Sequence, residues 1–370
     1  MSDNQKKYIN VSYFFKLVSA AINGKQPEEP PEGVDFNKIF QIAKLHSLGN
    51  TTFYAVEKLE NKPEPALYKK WCDERNIGVH RNLIQTMEFE QIKRELQAKG
   101  IEYMPMKGLR MSGYYPKPEY RTMSDIDFLI REKKLRECGE ILKSLGYKPY
   151  MVGSVHHDEY HKPPLMIAEF HHELIGQDSR FFSYYDGIMD RCEKVGDYEY
   201  RMSDEDFYIF TLVHLNKHYE FSGTGVRSIL DMYLLNEKLL PLLDRTYVFA
   251  ELDKLELREF FDKIREIGEK WFKTEDYSAF SEDEIYIIRS TSYGLDEHEF
   301  INRKGDLEGA AFLKKRIFPS YGWMKDHYPA VKKFPPILPF AYVYRLFHGV
   351  IFKRKRIKNE ITTLKKNKKE

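Results

Sequence analysis

The sequence contains few cysteines and no long apolar run, and each shortage excludes a class of protein. Its three cysteines are scattered among 370 residues, and none belongs to a C-x-x-C pair. Disulfide-stabilised folds and cysteine zinc sites are therefore not expected, and a reducing compartment is favoured. A membrane helix needs a run of about 18 apolar residues, which is absent. The polar N-terminus also lacks the apolar segment of a secretion signal, so we expect a cytoplasmic protein.

The chain also lacks a strong net charge, since the formal charge is +2 at pH 7. Its overall charge thus gives no reason to expect a polyanion-binding protein. The balance is uneven, because residues 353–370 contain nine Lys or Arg and two Glu, which sets the net charge of all other residues at −5. This basic tail follows an aromatic, apolar stretch at 340–352. We favour a packed terminal helix with a solvated tail. Weak contact with a membrane surface or nucleic acid stays open.

Length and composition predict a soluble globular protein of about two or three domains. Hydrophobic residues make up 42% of the chain and charged residues 31%. We expect an α+β fold in which a small mixed β-sheet is flanked by helical regions on both sides. The predicted units are an N-terminal helical region at 1–100, a β-sheet core at 101–202, a helical domain at 203–320, and an aromatic helix with a basic tail at 321–370.

Several local patterns define the predicted elements. In the N-terminal region, Asp35 is typical of an N-cap, and Gly78 is expected to separate a helix over 65–79 from another over 81–99. In the core, a strand over 101–106 is followed by a break at Lys107-Gly108. A helix of about two turns over 109–115 comes next. Further strands are predicted over 125–130, 147–152 and 165–171. A helix over 133–145 is closed by Gly146, and His156 and His157 are assigned to a loop.

The strand over 125–130 begins with two acidic residues, Asp125 and Asp127. Side chains at i and i+2 of a strand point to the same face, so these carboxylates would lie side by side. Adjacent carboxylates repel each other unless a cation or a proton lies between them, and Mg²⁺ prefers such oxygen ligands. Lys107 and Gly108, at the end of the neighbouring strand, offer a cation and exposed N–H groups to a phosphate. Arg121 and Ser124 precede the carboxylates and are predicted to reach the same anion.

The strand over 165–171 places Glu169 and His171 on one face, with Ala168 and Phe170 on the other. A half-exposed strand with polar groups facing water is the simple interpretation of this pattern. Because the D-x-D lies upstream, we favour a catalytic carboxylate over that interpretation.

The ordered set of Lys107-Gly108, Arg121 and the D-x-D at Asp125 and Asp127 resembles the polymerase-β-like nucleotidyltransferase superfamily, in its branch of uncharacterised bacterial nucleotidyltransferases. The turn differs from the Gly-Ser or Gly-Gly that is usual in the superfamily. The resemblance implies Mg²⁺ or Mn²⁺ as cofactor, an NTP as substrate, and Glu169 as the third metal-binding carboxylate. His171 or His172 would donate a hydrogen bond to these carboxylates from outside the metal shell. The resemblance leaves three classes of acceptor open, namely a small molecule, a protein and an RNA.

Two further groups lie on predicted helices after residue 203. His214 and His218 are spaced i, i+4, but the H-x-x-x-H pattern lacks the Glu of zinc metalloproteases. The pair is expected either to line the substrate cleft, with His218 near a phosphate, or to be structural only. Arg227 and Asp231 have the spacing of an intrahelical ion pair. The family resemblance adds a cleft-facing role for Asp231.

These observations predict a metal-dependent nucleotidyltransferase that moves a nucleoside monophosphate from an NTP to a hydroxyl-bearing acceptor. The alternative is a non-catalytic nucleotide-binding or interaction module with the same fold, which the unusual Lys107-Gly108 turn favours. A purely helical protein with a chance D-x-D would leave the spacing of Arg121 and the turn unexplained.

Overall fold

The computed structural model describes residues 3–131, 134–154, 157–291 and 334–344, together with the single positions 321, 324 and 331. His156, residues 345–352 of the predicted aromatic helix and the basic tail at 353–370 lie outside the described residues.

Four helices precede the sheet. They are α1 (Asp3–Ile22), α2 (Phe36–Leu45), α3 (Gly49–Val56) and α4 (Pro65–Ala98). The N-cap predicted at Asp35 is confirmed, because its carboxylate accepts hydrogen bonds from the backbone N–H groups of Asn37 and Lys38.

The helix break predicted at Gly78 is wrong, because this residue lies inside α4, a single helix of 34 residues. A Cβ atom at Gly78 would lie 2.3 Å from Nδ2 of Asn50 in α3. The glycine therefore permits close packing of two helices and does not end either one.

Five of the described strands form one mixed sheet, which confirms the predicted α+β class. They are β1 (Tyr103–Pro105), β2 (Ile126–Ile130), β3 (Lys148–Met151), β4 (His157–Lys162) and β5 (Met166–His171). Their order is β1-β2-β5-β4-β3, with β2 and β5 parallel and all other neighbours antiparallel. Sheet order therefore brings β5 next to the strand that carries the D-x-D.

Two details of the core differ from the sequence prediction. His157, which we assigned to a loop, is the first residue of β4. Lys107 and Gly108 do not form a separate turn. They begin the short helix α5 (Lys107–Ser112), which ends before Gly113. After β2, α6 (Leu135–Ser144) ends two residues before Gly146, whose φ of +88° suits glycine. The predicted closure of this helix by Gly146 is confirmed.

One face of the sheet is buried under α4 and α6. This sheet core includes Phe128 and Phe170 from the strands, Ile92 and Leu96 from α4, and Leu142 from α6. The opposite face carries the polar side chains of β2, β5 and β4, which are partly exposed. The predicted site residues of β2 and β5 therefore lie on the face that the apolar core leaves open.

The chain continues with a hairpin and a second group of helices. They are α7 (Phe182–Tyr185), β6 (Glu193–Lys194), β7 (Tyr200–Arg201), α8 (Asp204–Phe221), α9 (Val226–Lys238), α10 (Arg245–Lys254), α11 (Arg258–Glu269) and α12 (Glu282–Arg289). Their buried side chains share one helical core with those of α1 to α3, where Phe15 stacks on Trp271 at 4.3 Å between ring centroids. Within the described part of the chain, no helix combines the length and apolar character that crossing a bilayer would require.

Candidate active site

Strand pairing sets the positions of two of the three predicted carboxylates. In the parallel pair β2–β5, Asp127 lies opposite Glu169, and Phe128 lies opposite Phe170. Both phenylalanines are fully buried in the sheet core, so the alternation of the strands turns both carboxylates to the open face. Asp125 stands immediately before β2, on the same side as Asp127.

The three carboxylates converge. One oxygen each from Asp125, Asp127 and Glu169 lies within 4.8 Å of the others. Burial and the neighbouring charges of Asp127 and Glu169 raise the pKa of Asp125 to about 7, although a hydrogen bond from the Ser124 hydroxyl, at 3.2 Å, opposes the shift. Oδ1 of Asp127 is buried and accepts no hydrogen bond from any described residue. Repelling carboxylates with an unused buried oxygen fit a divalent cation.

Two histidines extend this cluster along the same face. Nε2 of His171 lies 3.2 Å from Oε2 of Glu169 and 3.7 Å from Oδ1 of Asp127. Nε2 of His157 lies 3.7 Å from the same Glu169 oxygen. Burial opposes protonation of His171, but Asp127 and Glu169 outweigh it and raise its pKa to about 9. Burial lowers the pKa of His157, with Glu169 acting in the opposite direction.

Sequence reasoning missed His157 as a site residue. The signal that could have found it is the alternation along β4, where Asp158 and Tyr160 are buried while Glu159 and His161 share the open face with His157. That strand is mostly polar, so its pattern lacks the apolar residues on which strand prediction depends.

The predicted phosphate-binding Arg121 is placed deep beside the site. Only 8% of Arg121 is exposed, and its Nε and Nη2 donate to the two oxygens of Asp231, each at 2.9 Å. The Tyr115 hydroxyl also donates to Asp231, at 2.7 Å. Burial raises the pKa of Asp231, but Arg121 dominates and holds it below its usual value. Arg121 Nη1 also lies 3.5 Å from the Gly108 carbonyl oxygen, so this ion pair joins α5 to α9.

Asp231 therefore has its bidentate partner on another element, where sequence spacing had suggested Arg227 within the same helix. Arg227 donates a hydrogen bond of 2.8 Å to the Thr122 carbonyl oxygen, just before the D-x-D. Both arginines thus support the segment that leads into β2.

Lys107 and the α8 histidines form a third polar group. Nζ of Lys107 is hydrogen-bonded to Nδ1 of His214, and the rings of His214 and His218 are 4.4 Å apart. Burial lowers the pKa of His214 well below its usual value and that of His218 to about 4. Burial and Arg121 lower the pKa of Lys107 to about 7, against the attraction of Asp231, Asp127 and Asp125. Among the described residues, neither α8 histidine belongs to a group that could hold a metal ion.

A comparison with known protein families finds one that this chain matches. Residues 32–273 match the model of a protein family described as uncharacterised nucleotidyltransferase. No curated protein and no solved structure gives a significant match. The matched span includes the whole sheet, the three carboxylates and the helices that carry Asp231 and His218. Since the match covers more than half of the chain, the protein belongs to this nucleotidyltransferase family.

Proposed function

We propose that the protein transfers a nucleoside monophosphate from an NTP to a hydroxyl-bearing acceptor, with divalent cations held by Asp125, Asp127 and Glu169. The observation that carries this proposal is the approach of three carboxylate oxygens to within 4.8 Å on the open face of the sheet. Mg²⁺ or Mn²⁺ bound there would neutralise the triphosphate and lower the pKa of the acceptor hydroxyl.

The roles of the protein's own groups follow from their positions. Asp125, Asp127 and Glu169 would hold the cations, and strand pairing fixes Asp127 and Glu169 before substrate arrives. Lys107 and the Ser124 hydroxyl, beside the carboxylates, would contact the phosphates. Gly108, at the start of α5, would offer its N–H group to the same anion. Because both oxygens of Asp231 occupy Arg121, we propose that this arginine acts on the phosphates mainly by positioning α5.

The direct test is incubation of the protein with each labelled NTP and Mg²⁺ or Mn²⁺, with and without cell extract. We expect one fraction of the mixture to become labelled in a metal-dependent manner. Asp127→Ala should reduce the rate at least about 100-fold, as loss of a group that stabilises transition-state charge does, while the exposed Asp178→Asn should not change it. Undiminished labelling by Asp127→Ala would refute the proposed site.

The class of acceptor can be separated by salt. An RNA acceptor predicts a steep fall of affinity with salt, because binding to a polyanion releases counterions. A small-molecule acceptor predicts little change. If calorimetry shows that NTP and Mg²⁺ bind but no fraction becomes labelled, the non-catalytic nucleotide-binding module would be the better description.

A further inference from the structure

We propose that His157, Glu169 and His171 form a second metal site, which binds a first-row transition ion such as Zn²⁺ or Co²⁺ in preference to Mg²⁺. This site deepens the proposed function, because it shares Glu169 with the carboxylate cluster and would belong to the same catalytic centre. Its capacity to hold an ion can be measured without any nucleotidyl transfer, so the two proposals fail separately.

The backbone brings the three residues together. His157 in β4 is the register partner of His171 in β5, and Glu169 lies two residues before His171 on the same face. The alternation that buries Phe170 turns all three side chains to the open side of the sheet. Neighbouring strands and i, i+2 spacing therefore create the cluster without any contribution from a loop.

The distances suit coordination by one small ion. One ligand atom from each residue lies within 4.8 Å of the others. The two imidazole Nε2 atoms are 3.2 Å and 3.7 Å from the same Glu169 oxygen. Bonds of about 2.0–2.2 Å to nitrogen and oxygen place the ligands of a tetrahedral zinc about 3.3 Å apart. Only small side-chain movements separate the cluster from that geometry.

A second observation points to a ligand in the same place. Nε2 of His171 is buried and faces two carboxylate oxygens, at 3.2 Å in Glu169 and 3.7 Å in Asp127, but makes a well-formed hydrogen bond to neither. A metal ion between this nitrogen and Glu169 would replace a poorly directed contact with a coordination bond. The competing explanation is an imidazolium ion that acts only as a counter-charge to Asp127 and Glu169.

The donor set decides the class of ion. Two imidazoles and one carboxylate with open positions are typical of zinc and other first-row transition ions, whereas Mg²⁺ takes oxygen ligands. The oxygen-only cluster of Asp125, Asp127 and Glu169 would retain Mg²⁺. Glu169 would then be shared by two metal sites, one that prefers Mg²⁺ and one that prefers a transition ion.

Co²⁺ binding to the full chain tests this assignment, because Co²⁺ replaces zinc and gives visible absorption bands. Chelator-treated protein is titrated with Co²⁺ in excess Mg²⁺, and we expect one bound Co²⁺ per chain. His157→Ala should weaken its binding at least about tenfold, since even outer partners of a metal ligand contribute that much. His161→Ala, a change four residues along the same strand and face, should leave the affinity unchanged, and so should Asp125→Asn.

Other outcomes would overturn the proposal. Failure of Co²⁺ to bind in excess Mg²⁺ would favour the imidazolium explanation. Equal binding by wild type and His157→Ala, or loss of binding in Asp125→Asn, would assign the ion to the carboxylate cluster alone. His157→Gln, which retains a polar side chain of moderate size, provides a second variant if His157→Ala does not fold by circular dichroism.

Discussion

Glu169 lies close to one carboxylate and two imidazoles: Asp127 is its register partner in β2, and Nε2 of His171 and of His157 lie 3.2 Å and 3.7 Å from its Oε2. Such a position makes the protonation of His171 depend on its carboxylate neighbours. Its raised pKa means that, between about pH 6.5, the ordinary value, and about pH 9, the folded metal-free protein binds a proton that the unfolded chain has released. This contribution to stability is complete below that interval and is lost as the pH rises through it.

Glu169→Gln should therefore lower the pKa of His171, because it removes one of the two charges that raise it. Nitrogen-detected NMR of the imidazoles in metal-free protein would measure the change. Wild-type His171 should remain protonated at pH 8, and the variant should titrate at lower pH. A wild-type His171 that titrates near its usual value would contradict the geometry around Glu169.

Lys107 has the opposite dependence on pH. Its pKa is lowered to about 7 in the folded protein, against 10.5 for an ordinary lysine. Between these values the unfolded chain binds the extra proton, so the free energy of unfolding should rise with pH on account of this residue. Lys107→Met should remove that rise, whereas the exposed Lys143→Met should not. Urea unfolding at pH 7 and pH 9 would compare the three proteins, and an identical pH dependence in all of them would contradict the prediction.

The buried ion pair between Arg121 and Asp231 should be necessary for stability. Asp231→Ala would leave the guanidinium buried without its carboxylate, which typically costs about 3–5 kcal/mol. The paired change Arg121→Met with Asp231→Leu should cost less, since no charge is left alone. Chemical denaturation measures both. If the single variant were as stable as the paired one, Arg121 would have found another partner.

At the level of helices and strands, local patterns predicted what local residues determine. The strands around Asp127 and Glu169 were predictable because apolar and polar side chains alternate there, and the same alternation gave the shared face. The helix end at Gly146 and the cap at Asp35 follow from single residues and were also predicted. Missed features depend on distant partners: β4 is polar and is recognised only by its pairing with β5, and Arg121 meets an acid 110 positions away.

The join between α3 and α4 offers a test of this distinction. By helix propensity alone, Gly78→Ala should stabilise α4 by about 1 kcal/mol. However, the new Cβ would lie 2.3 Å from Nδ2 and 2.6 Å from Cγ of Asn50. We expect a net loss of about 1–3 kcal/mol, as overpacking produces. In the Asn50→Ala background the same substitution should be much less harmful. Equal losses in both backgrounds, measured by thermal unfolding, would mean that the contact does not limit stability.

Across the whole molecule, packing connects regions that the sequence places far apart. The 34 residues of α4 span about 51 Å at the usual helical rise. Leu67 and Trp71 from its first half belong to the helical core, whereas Ile92 and Leu96 belong to the sheet core. The predicted domain boundaries at 100 and 202 stay predictions. Because α4 contributes side chains to both cores, experiment must decide whether the units fold independently.

Expression of residues 101–202 as a separate fragment would test whether the sheet core folds independently. The fragment lacks Ile92 and Leu96, so the apolar face of its sheet would be exposed to water, and we expect it to be unfolded or aggregated. A fragment that begins at Pro65 restores the whole of α4 and should show better dispersed amide resonances by NMR. Cooperative unfolding of the shorter fragment would show that the sheet needs no helix from the preceding region.

The pairing of Asp127 with Glu169 has a consequence for how errors in folding affect chemistry. A slip of β5 by one position would bring Ala168 or Phe170 to the place of Glu169 and would expel an aromatic ring from the interior. Misaligned chains would therefore lose both the packing of the core and the carboxylate that we propose as a metal ligand. Quality control that recognises exposed apolar rings would therefore remove the misaligned, inactive molecules without any test of their activity.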